Sequence, residues 1–305
     1  TNIEAVASDP SNPVEGQVWY NTTTNVVKGL IINPGSWATV NSMNQEKKSL
    51  AGVGTQTAAL ATGGYFVNTE LWNGTNWTEV NNLNTAVYRS AAAGTSTAAL
   101  SFGGTPGSGP PAGIAETETW NGTNWTEVND LNTARFGLAG CGTNTAALGF
   151  GGYVPALTGK TETWNGTNWT EVNDLNTARG FLAGAGTNTA ALAFGGNPYA
   201  AGYTELWNGT NWTEVNDLNT ARPRLAGAGT QTAALAFGGQ PFTAVTESWN
   251  GTNWTELNDL NTARRYLAGA GTNTAALGFG GDTPPNTAAT EEWNAGPATV
   301  TFDFS

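Results

Sequence analysis

Leu182-Ala183-Gly184-Ala185-Gly186-Thr187-Asn188-Thr189-Ala190-Ala191-Leu192-Ala193-Phe194-Gly195-Gly196, followed after seven residues by Thr204-Glu205-Leu206-Trp207-Asn208-Gly209-Thr210-Asn211-Trp212-Thr213-Glu214-Val215, is one copy of a unit that fills most of this chain. Gly-Gly pairs beginning at Gly63, Gly103, Gly151, Gly195, Gly238 and Gly280 mark the copies, 40 to 48 residues apart. A period of that size, built from short strands and turn residues, is the mark of propeller blades. The quoted copy divides into four strand-sized pieces, 182–187, 190–194, 204–207 and 212–215. Asn208-Gly209 between the last two is a strong hairpin-turn signal. No stretch shows sustained helical periodicity.

Counting the pieces predicts an all-β, six-bladed β-propeller with four antiparallel strands per blade. Six first-and-second strand pairs and six Thr-Glu-x-Trp strands are present, but only five fourth strands follow them. Trp37, Val40 and Met43, near the other end, repeat the spacing of the missing one. Residues 36–43 are therefore expected to supply the outer strand of the blade built by residues 265–294, closing the ring and hiding sheet edges. Val26 to Ile32, and the alternating Val300, Phe302 and Phe304, read as further strands that pair with each other or extend the closing blade. Residues 1–14 read as an irregular arm, and 15–305 as a single propeller: closing strands over 15–44, repeats over 45–294 and a C-terminal strand over 295–305.

Composition narrows the chemistry. The 305 residues include no histidine, one cysteine and one methionine, and the formal net charge is −12. Without histidine there is no Ser-His or Cys-His catalysis and no His-ligated metal. A single thiol, Cys141, makes no intrachain disulfide or cysteine zinc site. The acidic balance argues against nucleic acid, no apolar run is long enough to span a membrane, and the opening residues lack a signal-peptide pattern. We expect no enzyme activity, no cofactor and no metal.

The units resemble the kelch repeat: an apolar strand ending in Gly-Gly, a pair of aromatics, then apolar residues and an arginine three, six and ten positions after the second aromatic. Gly151-Gly152 leads to Trp164, Trp169, Val172, Leu175 and Arg179, and the same spacing recurs at Trp125, Trp212 and Trp254. Val87 occupies the arginine position of the first unit, and Lys47 that of the closing strand. The resemblance implies that both tryptophans of each Trp-Asn-Gly-Thr-Asn-Trp segment pack between blades instead of forming sugar-stacking platforms. Asn-Asp-Leu-Asn, as at Asn173 to Asn176, offers calcium-like oxygens but reads better as a turn bonding its own backbone. Glu79, Glu127, Glu171, Glu214 and Glu256 are carboxylates repeated around a ring, too far apart to act as a glycosidase pair. Cys141 aligns with small core residues of the other first strands. The sialidase boxes and copper-oxidase histidines of other propeller enzymes are absent.

Two segments differ strongly among otherwise near-identical units. One follows each Gly-Gly; the other is the pair after the arginine position, such as Tyr88-Arg89, Gly180-Phe181 and Arg265-Tyr266. In an up-down-up-down blade both connections lie on one face. These segments hold six of the seven tyrosines, and Tyr and Arg are enriched at binding hot spots. The expected binding residues are Tyr65, Tyr88, Arg89, Phe136, Tyr153, Phe181, Tyr199, Arg224, Phe242, Arg265 and Tyr266; of these, Tyr88, Arg89, Phe136, Phe181, Arg224, Arg265 and Tyr266 adjoin the innermost strands and are expected to ring the mouth of a narrow central channel.

Gly-Gln-Val-Trp-Tyr-Asn-Thr-Thr-Thr-Asn at 16–25 resembles a module at the ends of phage fibre and tail proteins, and the unit at 51–64 resembles repeats in virion structural proteins of marine phages. The resemblance implies a virion component, assembled in the host cytoplasm, that binds a host surface glycan or protein. The alternatives are a purely structural part docking other virion proteins, and a free lectin-like or protein-binding propeller.

Overall fold

The computed structural model describes residues 3–106, 112–198 and 202–302. No helix occurs among them, so none is long and apolar enough to cross a membrane. The architecture is propeller-like, a series of four-stranded antiparallel sheets in which consecutive strands pair with their neighbours.

The quoted unit shows why. Ala183–Gly186 pairs with Ala191–Phe194, which pairs with Thr204–Trp207, which pairs with Trp212–Val215. Asn208 shapes the last turn: its side-chain oxygen accepts from Thr210 N at 3.0 Å and Asn211 N at 2.8 Å, while Gly209 takes φ +90°. The hairpin signal thus becomes a four-residue Asn-Gly-Thr-Asn loop. Trp207 and Trp212 face each other across the strand pair, ring centroids 5.3 Å apart. Trp212 also reaches the preceding unit, where its ring meets Phe150 at 4.9 Å and its indole N–H donates to Thr161 Oγ1 at 3.1 Å. All thirteen tryptophans are at most 6% exposed, and the ten of the Trp-Asn-Gly-Thr-Asn-Trp segments pack between sheets instead of forming sugar platforms.

The glycine of each first strand is set by the preceding sheet. A Cβ on Gly184 would sit 2.6 Å from Phe150 Cζ, and one on Gly227 at 2.6 Å from Phe194 Cζ. Where Thr62 stands in place of that phenylalanine, the next first strand carries Ala92 instead of glycine. A substitution in one sheet is thus matched by a substitution in its neighbour.

The sheet containing Ala268–Gly271 differs from the others. Its order is Ala268–Gly271, Ala275–Phe279, Thr290–Phe302, Val26–Val40, Val18–Asn21 and Glu4–Val6. Trp37 lies opposite Trp293 and Val40 opposite Thr290, while Val27 lies opposite Phe302. The two strands expected separately over 26–32 and 36–43 are therefore one strand, interrupted by a bulge between Asn33 and Ser36. Gly35 sits in the bulge at φ +102°, where any Cβ would enter the Trp293 ring. Trp37 makes the contacts of Trp77, Trp169, Trp212 and Trp254: its indole N–H donates to Thr246 Oγ1 at 2.9 Å and its ring meets Phe237 at 4.8 Å.

The arm over 1–14 is not wholly irregular, since Glu4–Val6 pairs in parallel with Val18–Asn21. Asp9 fastens it by accepting from Trp19 Nε1, Asn21 Nδ2 and Lys28 Nζ, and these hydrogen bonds, led by Lys28, pull its carboxyl down to about 2. Phe304 lies outside the described residues.

Candidate functional site

Each unit reaches the next through a buried carboxylate that the spacing argument passed over. The glutamate of every Thr-Glu-x-Trp strand, such as Glu205, is at most 5% exposed. Glu205 Oε2 accepts from Asn176 N at 2.8 Å and Asn176 Nδ2 at 2.9 Å, and Oε1 meets Arg179 Nη2 at 3.3 Å. Arg135–Glu162, Arg222–Glu247, Arg264–Glu291 and Lys47–Glu70 repeat the pair. Burial pulls the proton affinity of all five cations down, and the paired glutamates oppose that shift. Where Val87 replaces the cation, Glu118 accepts only from Asn84 and Thr85. The readable signal was a glutamate in all six units facing a cation in five of them.

This changes the reading of Asn-Asp-Leu-Asn. Its oxygens do not bond their own turn: Asp174 Oδ1 accepts from Thr161 N at 3.1 Å, thirteen residues back in the same unit, and Asn176 serves the neighbouring glutamate. Glu79, Glu127, Glu171, Glu214 and Glu256 stay exposed. Among the described residues, no group of three or more His, Cys, Asp or Glu side chains is placed to hold a metal ion. Cys141 is buried in its first strand, and burial pushes the thiol up to about 12 from 9.0. The native thiol should therefore resist Ellman's reagent at pH 8 and react fully only in denaturant. Because the folded value is raised, its contribution to stability is complete below about pH 9 and fades as pH climbs toward 12. Rapid labelling of folded protein would contradict this placement.

The two variable segments meet. Phe136 and Tyr153 exchange backbone hydrogen bonds at 3.3 and 2.8 Å, and Arg265 and Asp282 do so at 3.3 and 2.8 Å. Tyr88 pairs with Thr105, and Gly180 with Asn197. Inside these contacts runs a cycle of backbone hydrogen bonds. Ser49 N donates to Tyr266 O, Arg89 N to Ser49 O, Gly137 N to Arg89 O, Phe181 N to Gly137 O, Arg224 N to Phe181 O and Tyr266 N to Arg224 O, all between 2.6 and 2.9 Å. All six residues adopt positive φ, from 56° to 64°, although only Gly137 is a glycine. Left-handed backbone costs a non-glycine residue roughly 1–2 kcal/mol. The cycle holds five such residues in place, a pattern that marks functional sites more often than plain scaffolds.

The cycle occupies the backbone donors, so only side chains remain to bind anything above it. They form one connected cluster. Tyr65 stacks on Tyr88 at 4.2 Å. The Arg89 guanidinium lies 5.0 Å from the Tyr88 ring centre, 5.3 Å from Phe181 and 5.9 Å from Tyr266. Arg224 lies 4.7 Å from Tyr266 and 5.4 Å from Phe181, and Arg265 lies 4.2 Å from Phe242. Phe136 meets Tyr153 at 5.3 Å and Phe181 at 6.1 Å. Ten of the eleven expected residues thus converge; Tyr199 lies outside the described residues. Two are less available than expected. Tyr88 is 7% and Phe136 4% exposed, so they support the cluster from below, while Tyr65 and Phe242 stand at its rim. The depression over the cycle holds about 410 Å³ of empty space, its opening included. Below it the first strands, Ala51–Gly54 and their counterparts, line the axis with alanine and glycine.

No family model matches the chain, and no curated protein matches it in sequence. Among solved structures it is similar to one described as "Structure of YjhT", with a TM-score of 0.68 and 12% identity over 85% of this chain and 95% of that one. At that identity the likeness is one of fold alone, and it agrees with the propeller-like arrangement of four-stranded antiparallel sheets.

Proposed function

We propose that the chain is a six-bladed, kelch-like propeller over residues 15–305, closed through its N-terminal strand, and a non-enzymatic binding module of a phage virion that grips a host surface molecule at the mouth. The carrying observation is the convergence of the variable side chains: Arg89, Phe181, Arg224 and Tyr266 meet above one backbone cycle, while the constant turns carry none of them. Drift in unconstrained loops gives no reason for aromatics and arginines to gather. Closure is supported by the strand at Val26–Val40 in the sheet of Ala268–Gly271 and by Ala268–Gly271 lying beside both Leu50–Thr55 and Ala226–Gly229. The virion placement rests on the resemblance of residues 16–25 and 51–64.

A glycan array with neutral and acidic members tests the mouth. The double variant Arg224→Ala, Tyr266→Ala should keep its fold and lose binding, because truncating hot-spot side chains costs about 2 kcal/mol or more each. A Thr210→Ala variant in a constant turn should bind as the parent does. Full binding by the double variant, with loss in Thr210→Ala, would place recognition on the other face.

A second reading, docking of other virion proteins, is favoured by one observation. At the outer side of the closing sheet, Val14, Val18 and Ile31 are exposed at 66%, 36% and 44%. Purified virions whose propellers ignore every glycan, yet detach when Ile31 is replaced by lysine, would favour it.

A further inference from the structure

Two arginines at the mouth lack carboxylate partners in a protein of net charge −12. Arg265 is spoken for: its Nε and Nη2 grip Asp282 Oδ2 at 3.1 and 3.0 Å, and Lys48 Nζ lies 3.7 Å from the same carboxylate. Arg89 and Arg224 form no ion pair among the described residues. Arg224 donates to the Gln240 side-chain oxygen, a neutral partner. Arg89 rests on aromatic faces alone, and the Nε of each arginine is buried without a hydrogen-bond partner.

Their placement is specific. Arg89 and Arg224 occupy opposite positions of the six-membered backbone cycle, three steps apart in either direction. Yet both guanidiniums lie over the same two rings, Phe181 and Tyr266. Two like charges are thus brought in from opposite sides over a shared aromatic floor. The rings favour cations over their faces but do not cancel mutual repulsion. Guanidinium forks match the oxygens of carboxylate and phosphate.

Taking the mouth as the binding face, we infer that it receives a compact oxyanion, a carboxylate or phosphate end group, between Arg89 and Arg224, with the body of the ligand lying across Phe181 and Tyr266. The backbone donors of the cycle are already used, so the anion is held by the two side chains alone.

Titration calorimetry with glucuronate, glucose 6-phosphate and glucose tests this, since the three share one body and differ in carboxylate, phosphate or neither. At least one acidic sugar should bind tenfold or more tightly than glucose, and which one does separates the two anion sources. Arg89→Gln and Arg224→Gln should each erase that margin with unchanged near-ultraviolet circular dichroism. In the parent, raising sodium chloride from 50 mM to 500 mM should shrink it, which keeps the inference testable if a variant misfolds. The inference is overturned if neither acidic sugar outbinds glucose, or if the margin survives both substitutions and added salt. Loss of neutral-glycan binding in Arg224→Ala, Tyr266→Ala alongside such a result would leave the mouth as the binding face and remove only its preference for anions.

Discussion

Glu205→Gln should lower stability by about 3–5 kcal/mol, the cost of removing one partner from a buried ion pair. The carboxylate is 1% exposed and Arg179 is fully buried, so neither group has water to fall back on. Neutralising Glu205 leaves the guanidinium with a backbone carbonyl, Ala193 O at 3.3 Å, and with Nε and Nη1 lacking any hydrogen-bond partner. It also weakens the acceptor for Asn176 N, Asn176 Nδ2 and Thr177 N, which tie one sheet to the next. The chain supplies its own control. Glu118 makes the same bonds to Asn84 and Thr85, but Val87 stands where the cation would be. Glu118→Gln strands no buried charge and should cost about 1 kcal/mol, the worth of weakened hydrogen bonds. Urea midpoints of the two variants, read with unchanged slopes, decide the matter. Equal losses at the two sites would mean that the ion pairs contribute nothing beyond their hydrogen bonds.

That contrast also shows what a sequence displays and what it hides. The strands were legible because their ends are chemical: Gly-Gly closes one, Asn-Gly-Thr-Asn turns another, and the period repeats six times. The partnership of Glu205 with Arg179 was not, because the two belong to different units and spacing within a unit says nothing about which neighbour faces which. The matching of Thr62 with Ala92 was likewise printed in the chain but meaningless until Gly184 was seen against Phe150. At the mouth, the residue types and their shared face were readable from variability. The backbone cycle was not, since arginine, phenylalanine and tyrosine ordinarily avoid positive φ and no local signal announces it. Nor was the burial of Tyr88 and Phe136, which depends on Tyr65 and Tyr153 arriving from the other variable segment.

Removal of residues 1–44 should make the chain aggregate. Trp37 would be lost from its place opposite Trp293 and against Phe237, and Thr290–Phe302 would become an unpaired edge. Asn44, which holds the Glu70 carboxylate through its N and Nδ2 at 2.7 and 2.9 Å, would go with it, as would Met43 from the core. A long bare strand is a template for pairing between chains. Because so large a deletion can fail for unrelated reasons, the sharper comparison is Trp37→Ala against Trp254→Ala. The two indoles are 6% and 5% exposed, and each donates to a threonine of the preceding sheet, at 2.9 and 3.1 Å. If the strand closes the ring as proposed, it carries the same load as one inside it, and both variants should lose about 3–5 kcal/mol. Heat denaturation followed by light scattering would show both melting early and together. If Trp37→Ala melts with the parent while Trp254→Ala does not, the N-terminal strand is an accessory to a ring already held shut by its inner strands.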